Sequence, residues 1–276
     1  MSERHVRAIG AVSAGLEPGR GRLAGRRILV VGGGQRTYDA ATDPIGNGRA
    51  IAVLFAREGA HVAVANRGIE SARETVAMID AQGGKAFPIQ ADISGAADVT
   101  RMIEEACEGL DGLDGLVLNA AAGVGALGLD GVDLDEWDKT FDVNVRGTML
   151  CCRAALPRLD DDSSIVFISS VAGYKSGSRL AAYEASKAAL GGLMRHVALE
   201  ASRRGIRANI VSPGAVDTPI GRAAAAGRPS RMETRLPFGR QATGWEVAYA
   251  TLFLTSEESA YITAQTLQVD SGMTGL

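Results

Sequence analysis

From Ile28 onward, short runs of β-branched and other apolar residues alternate with longer stretches in which apolar positions recur at helical spacing. Ile28 to Val31, His61 to Asn66, Ala86 to Gln90, Leu116 to Asn119, Ile165 to Ser169, Arg207 to Val211 and Thr266 to Val269 read as strands. Between them, Arg49 to Glu58, Ile69 to Gln82, Ala97 to Gly109, Leu134 to Leu156, Tyr183 to Arg204 and Gly244 to Ser256 read as helices. Most strand runs are apolar throughout, the pattern of parallel strands covered on both faces. Repeated βαβ units without a linker predict an α/β fold: one doubly wound Rossmann-type domain over 26–276, with a seven-stranded, mostly parallel sheet and helices on both faces. Residues 1–25 show no sustained period and are expected to be a flexible N-terminal extension or the product of a start codon placed too early.

Composition excludes several classes. The chain of 276 residues holds 35 glycines, yet 46% is hydrophobic and 22% charged, which rules out a disordered chain, and the glycines follow no collagen-like period. Cys107, Cys151 and Cys152 are too few for a disulfide scaffold and fit a reduced setting. A net charge of −3 without a basic block gives no reason to expect a nucleic acid or an anionic membrane as partner. No run reaches the ~18 apolar residues of a membrane helix. The start of the chain, with Arg4, His5 and Arg7, lacks the apolar core of a signal peptide, so a cytoplasmic location is expected. His5, His61 and His196 are dispersed, and no cluster has metal-ligand spacing.

In a doubly wound sheet the ligand lies outside the carboxyl ends of the strands, which directs attention to the segments that follow them. After the first strand comes Gly32-Gly33-Gly34, and Gly46-Asn47-Gly48 opens the first long helix. Glycines there let a backbone approach a pyrophosphate, and the helix N-terminus offers free N–H groups and a positive dipole end. The interval from Gly32 to Gly46 spans 14 positions and holds an insertion of about ten residues, expected to bulge outward while Gly46 and Gly48 keep the cofactor contact. At the end of the second strand, Asn66-Arg67 stands where an acidic residue would bind the ribose 2′-hydroxyl of NAD. Arg67 can instead pair with the 2′-phosphate of NADP, or be a solvated turn residue; Arg36, inside the insertion, is a second phosphate candidate.

The chemistry centres on Tyr183 and Lys187, four positions apart and therefore on one helix face. A phenol near pKa ~10 is a poor proton carrier at neutral pH, and lowering it by about three units takes roughly 4 kcal/mol of differential stabilisation. A neighbouring ammonium supplies stabilisation of that kind and makes the phenol a general acid for carbonyl reduction and a general base for alcohol oxidation.

With these motifs in order, the chain resembles the short-chain dehydrogenase/reductase family from about Leu23 to Thr274, in its carbonyl-reductase and alcohol-dehydrogenase form. Tyr183 and Lys187 match the family's Tyr-x-x-x-Lys pair, and Ser170, 13 positions before the tyrosine, matches its substrate-orienting serine in preference to Ser169. Asn144 matches the asparagine that holds a water in the proton relay and completes the family's tetrad. The resemblance also assigns cofactor contacts to Gly32, Gly34, Gly46, Asn47, Asp92 and Ile93 near adenine, and Asn119-Ala120 after the fourth strand. Further contacts fall to the nicotinamide loop with Pro213, Gly214, Val216 and Thr218, and to Tyr183 and Lys187. Departures are the insertion, Ala121 for a glycine, and Ala264 and Ser271 for glycines near the C-terminus, where the changes are expected to be tolerated locally.

These features imply an NADP(H)-dependent oxidoreductase that moves a hydride between nicotinamide and a carbonyl or secondary alcohol, and assembles as a homotetramer or homodimer through its two long helices. The alternatives are an NAD(H)-dependent alcohol dehydrogenase, a non-catalytic dinucleotide-binding protein on the same fold, or an enoyl reductase. The spacing of Ser170, Tyr183 and Lys187 favours carbonyl chemistry. A substrate lid is expected at about 219–240, containing Arg222, Arg228, Arg231, Met232, Arg235, Leu236 and Phe238.

Overall fold

Side chains alternate across a strand, so a run that is apolar at every position must be buried on both faces. A computed structural model, which describes residues 6–123, 128–225 and 236–276, shows this arrangement. Strands β1 (Arg27–Val31), β2 (His61–Asn66), β3 (Lys85–Gln90), β4 (Gly115–Leu118), β5 (Ser164–Ile168), β6 (Arg207–Pro213) and β9 (Thr266–Val269) form one sheet in the order β3-β2-β1-β4-β5-β6-β9. Every pairing is parallel. Pro88 is accommodated because β3 lies at the sheet edge, where a missing N–H costs no internal ladder bond. The chain steps outward from β1 to β3 and then crosses back to place β4 beside β1, so the topological switch lies between β1 and β4. A separate parallel pair, β7 (Val216–Asp217) and β8 (Ala242–Thr243), follows β6.

Two apolar layers cover the sheet. Leu29, Val31, Ala63, Leu116, Ile165, Phe167 and Ile210 point to the layer formed by α3 (Ala96–Leu110), α5 (Thr148–Ala155) and α6 (Ala181–Ala201). Their strand neighbours Ile28, Val30, Val62, Val64, Val117, Val166 and Val211 point to α1 (Asn47–Arg57), α2 (Ile69–Asp80) and α8 (Gly244–Thr255). The expected seven-stranded, doubly wound architecture is therefore present, with boundaries shifted by one or two residues.

The helix expected over Leu134 to Leu156 is interrupted. It runs as α4 (Leu134–Phe141), a π-helical stretch Asp142–Gly147, and α5. Apolar periodicity persists through that stretch, so a wider turn leaves little trace in the pattern. The expectation of a loosely held N-terminus is corrected from Val6 onward. Leu23 is buried in the core, Arg57 donates to the carbonyls of Gly15 and Glu17, and the Ser13 hydroxyl donates to Glu246. In the segment expected to form a lid, α7 (Pro219–Ala225) is described, whereas 226–235, with Arg228, Arg231, Met232 and Arg235, lies outside the described residues, as does 1–5.

Candidate active site

Because all seven sheet strands run in one direction, their carboxyl ends share one rim of the molecule. That rim receives Gly32 and Gly34 from β1, Arg67 from β2, Asp92 and Ile93 from β3, Asn119 and Ala120 from β4, Ser170 from β5, and Pro213 and Gly214 from β6. Gly32 has φ +81°, and a Cβ there would lie 2.5 Å from the Ala120 nitrogen. A Cβ on Gly48 would lie 1.9 Å from the Gly32 carbonyl oxygen, so only glycine lets α1 start this close to β1. The Asn119 amide donates to the same Gly32 oxygen at 2.8 Å, which gives Asn119 a bracing role between β1 and β4.

The first turn of α1 presents the amides of Asn47, Gly48 and Arg49, which have no acceptor inside the helix. Asn47 Oδ1 is buried there without a hydrogen-bond partner, as is the Ser212 hydroxyl at the end of β6. Buried polar atoms of this kind fit a polar ligand on the rim. Gly46 differs from expectation: its amide is satisfied by Gln35 Oε1 at 2.7 Å, so its contribution to an anion site is shape. Asp92 Oδ1 accepts from the amide and hydroxyl of Ser94, and the Ile93 side chain is in the core. Val216 lies on β7, and Thr218 Oγ1 accepts from the Gly221 amide at the start of α7.

The insertion is internally ordered. Asp43 accepts from the amides of Tyr38 and Asp39, and Asp39 accepts from Ala41 and Thr42. Its outer edge meets α7, where Arg222 donates to the Thr42 carbonyl and pairs in two-pronged fashion with Asp217. Its inner edge is tied to α2 by reciprocal hydrogen bonds between Ser71 Oγ and the Gln35 backbone. Arg36 and Arg67 thus both lie beside the N-terminus of α2, exposed, and neither guanidinium has a partner among the described residues.

The four expected catalytic residues come from three segments. Tyr183 and Lys187 lie on α6, and Lys187 Nζ is 5.7 Å from the Tyr183 ring centroid. Lys187 is buried, and its ammonium donates to the Ile168 carbonyl at 2.9 Å. Desolvation lowers its pKa from 10.5 to about 8. Ser170 Oγ accepts from the Ala172 amide and caps a short 3₁₀ turn, Val171–Gly173, packed on α6 where Gly173 meets the Lys187 backbone. The neighbouring Ser169 hydroxyl donates to the Lys187 carbonyl, which separates the two serines physically. Asn144, in the π-helical stretch, accepts from the Ala122 amide and donates to the Ala122 carbonyl and to Ser186 Oγ, all within 2.7–2.9 Å. Its side chain is wholly used in joining the loop after β4 to α6. Its carbonyl accepts from the Thr148 hydroxyl at 2.8 Å.

Residues 41–274 match the family model described as enoyl-(acyl carrier protein) reductase. Glucose 1-dehydrogenase of Gluconobacter oxydans is 35% identical over 263 residues, covering 93% of this chain and 95% of that protein. The chain belongs to the short-chain dehydrogenase/reductase family. A second member, 3beta-hydroxysteroid dehydrogenase 1 of Eggerthella lenta, is 36% identical over 258 residues, 91% of this chain and 95% of its own. A crystal structure of a short-chain dehydrogenase from Burkholderia cenocepacia in complex with NADP aligns with a TM-score of 0.82 at 33% identity, covering 91% of this chain and 98% of that one. As a member of this dinucleotide-binding family the protein is an oxidoreductase acting on CH–OH or C=O groups. No helix among the described residues is long and apolar enough to cross a membrane.

Proposed function

We propose that this chain is a reversible NADP(H)-dependent carbonyl reductase or alcohol dehydrogenase in which Tyr183 transfers the proton. The observation that carries the reading is the buried Lys187 ammonium beside the Tyr183 ring, with its pKa depressed to about 8. At neutral pH the lysine remains cationic, and a cation at that position favours the phenolate over the phenol. Tyr183 then gives its proton to the substrate oxygen in reduction and takes it back in oxidation. The Ser170 hydroxyl orients that oxygen, and Asn144 holds a water that connects the site to solvent.

When bound, the dinucleotide supplies or accepts the hydride. Gly32, Gly34, Asn47 and the first amides of α1 would hold its pyrophosphate, Asp92 and Ile93 its adenine, and Asn119, Ala120, Pro213, Gly214, Val216 and Thr218 its nicotinamide half. The preference for NADP(H) rests on Arg67 and Arg36, two unpartnered guanidinium groups at the N-terminus of α2, where a 2′-phosphate would find bidentate donors. The two long helical segments expose Leu134 and Leu199, consistent with assembly as a dimer or tetramer.

A spectrophotometric screen with both cofactors tests the reading. Ketones, secondary alcohols, glucose, a 3β-hydroxysteroid and a crotonyl thioester form the panel. NADPH is expected to bind roughly tenfold or more tightly than NADH, the equivalent of one charge-assisted contact, and Arg67→Ala to erase the difference. Tyr183→Phe should cost about 10²-fold or more in turnover while leaving NADPH affinity in place. Turnover of the crotonyl thioester alone would favour enoyl reduction, and NADH binding the more tightly would reverse the cofactor preference.

A further inference from the structure

One carboxylate organises both loops beside Tyr183, and the proposed chemistry does not use it. Helix α6 begins at Ala181, and Leu180, at its N-cap, makes no side-chain capping hydrogen bond. Glu184, in the first turn, takes over that function by reaching back across the helix start. Its Oε1 accepts from the amides of Gly177 (3.2 Å), Ser178 (2.8 Å) and Arg179 (3.1 Å) and from the Ser178 hydroxyl (2.8 Å). Ser178 Oγ in turn accepts from the Leu180 amide, closing the loop onto the helix. These donors hold the carboxyl below the ordinary glutamate range against the opposing effect of burial.

The loop gathered in this way takes a conformation the chain would not adopt unaided. Arg179 has φ +61°, in the left-handed region that non-glycine residues avoid. That turn aims the Arg179 carbonyl at the Gly128 amide, 2.9 Å away, in the connection between β4 and α4. Earlier in that connection the backbone rests on the phenol: a Cβ on Gly123 would lie 2.5 Å from Tyr183 Cδ2. The two loops on either side of the phenol are therefore joined by one carbonyl, and that carbonyl is positioned through Glu184.

We infer that Glu184 is a positioning residue for the substrate side of the site: its carboxylate fixes the 177–180 loop, which leads directly into Tyr183, and, through Arg179, Gly128, and so sets how a carbonyl substrate meets Tyr183. The kinetic part rests on the function proposed above, whereas the coupling between the loops does not.

The experiment uses full-length Glu184→Ala and Glu184→Gln proteins. Hydrogen exchange at Gly177, Ser178, Arg179 and Gly128 is measured together with NADPH affinity and the KM and kcat for NADPH-dependent reduction of ethyl acetoacetate. Glu184→Ala should speed exchange at all four amides, Gly128 included, by roughly tenfold or more. It should also raise KM by about tenfold, leave kcat within about threefold, and not change NADPH affinity. Glu184→Gln keeps an accepting oxygen and should recover most of the protection and of KM. Unchanged exchange at Gly128 in Glu184→Ala overturns the inference, as does loosened exchange with an unmoved KM. If the unmodified protein reduces none of the panel while Glu184→Ala still releases Gly128, the carbonyl-reductase reading fails and the loop coupling stands.

Discussion

The buried Lys187 ammonium sets chemistry against stability. Moving a cation out of water costs free energy, and one carbonyl acceptor with one aromatic face repays only part of it. The cost is visible in the fall of its pKa from 10.5 to about 8. In the unfolded chain the lysine binds its proton up to about 10.4, so between the two values the unfolded state carries the extra proton. The penalty is complete below pH 8 and fades as pH rises toward the unfolded value. Lys187→Met, which keeps the apolar stem, should therefore stabilise the cofactor-free protein by up to about 3 kcal/mol at pH 7, with the gain shrinking toward zero near pH 10, while removing turnover. Thermal unfolding of both proteins from pH 6 to 10 checks this; a pH-independent gap would mean that the lysine titrates alike in the folded and unfolded chains and carries no desolvation penalty. The placement of Lys187 beside Tyr183 was legible in the sequence because a spacing of four puts two side chains on one helix face. Glu184, Gln35 and Ser212 were not, since their partners or lack of partners depend on how distant loops meet, and a lone glutamate or glutamine carries no pattern.

At the scale of elements, strands and helices followed from periodicity, and misreadings fell where the backbone departs from a regular period. The π-helical stretch around Asn144 has the same apolar spacing as the helix that contains it, so only the hydrogen bonds to Ala122 and Ser186 reveal why the turn is widened. Glycine replacements near the C-terminus behave likewise. Ala264 (φ 59°) precedes β9 and Ser271 (φ 56°) follows it, both left-handed positions. Side chains are accepted there at a strain of about 1 kcal/mol each, so tolerance has a cost. Ser271 has no side-chain hydrogen bond among the described contacts, whereas the Ala264 methyl packs against the core beside α6. Ser271→Gly should thus stabilise by about 0.5–1 kcal/mol. Ala264→Gly should be close to neutral, because losing even a partly buried methyl, at up to about 0.8 kcal/mol, offsets most of the relieved strain. Equal gains at both sites in denaturant titrations would contradict that division.

For the whole molecule, the N-terminal segment acts as a tie between parts far apart in sequence. Its first described residues meet the segment that leads into β8, where the Arg7 amide donates to the Phe238 carbonyl and Arg240 Nε donates to the Arg7 carbonyl. It then crosses the start of α8 through Ser13, which donates to Glu246 and accepts from Thr243, and reaches the end of α1. There Glu58 is fully buried and accepts from the amides of Arg20 and Arg22 and from the Arg22 guanidinium at 2.6 Å. The guanidinium raises the ionised fraction of Glu58 against burial, the largest influence on that carboxyl. Removing residues 1–22 deletes all three donors and leaves the Glu58 carboxylate without these partners. Breaking a buried pair from one side costs about 3–5 kcal/mol, and at roughly 2 °C per kcal/mol or more for a chain of this size the thermal midpoint should fall by about 6 °C or more. Glu58→Gln in the truncated protein relieves the buried charge and should restore part of that loss, a pattern that simple shortening of a loose tail would not produce. Calorimetry on the three proteins distinguishes the outcomes: an unchanged midpoint after truncation would return this segment to the status of an unattached extension.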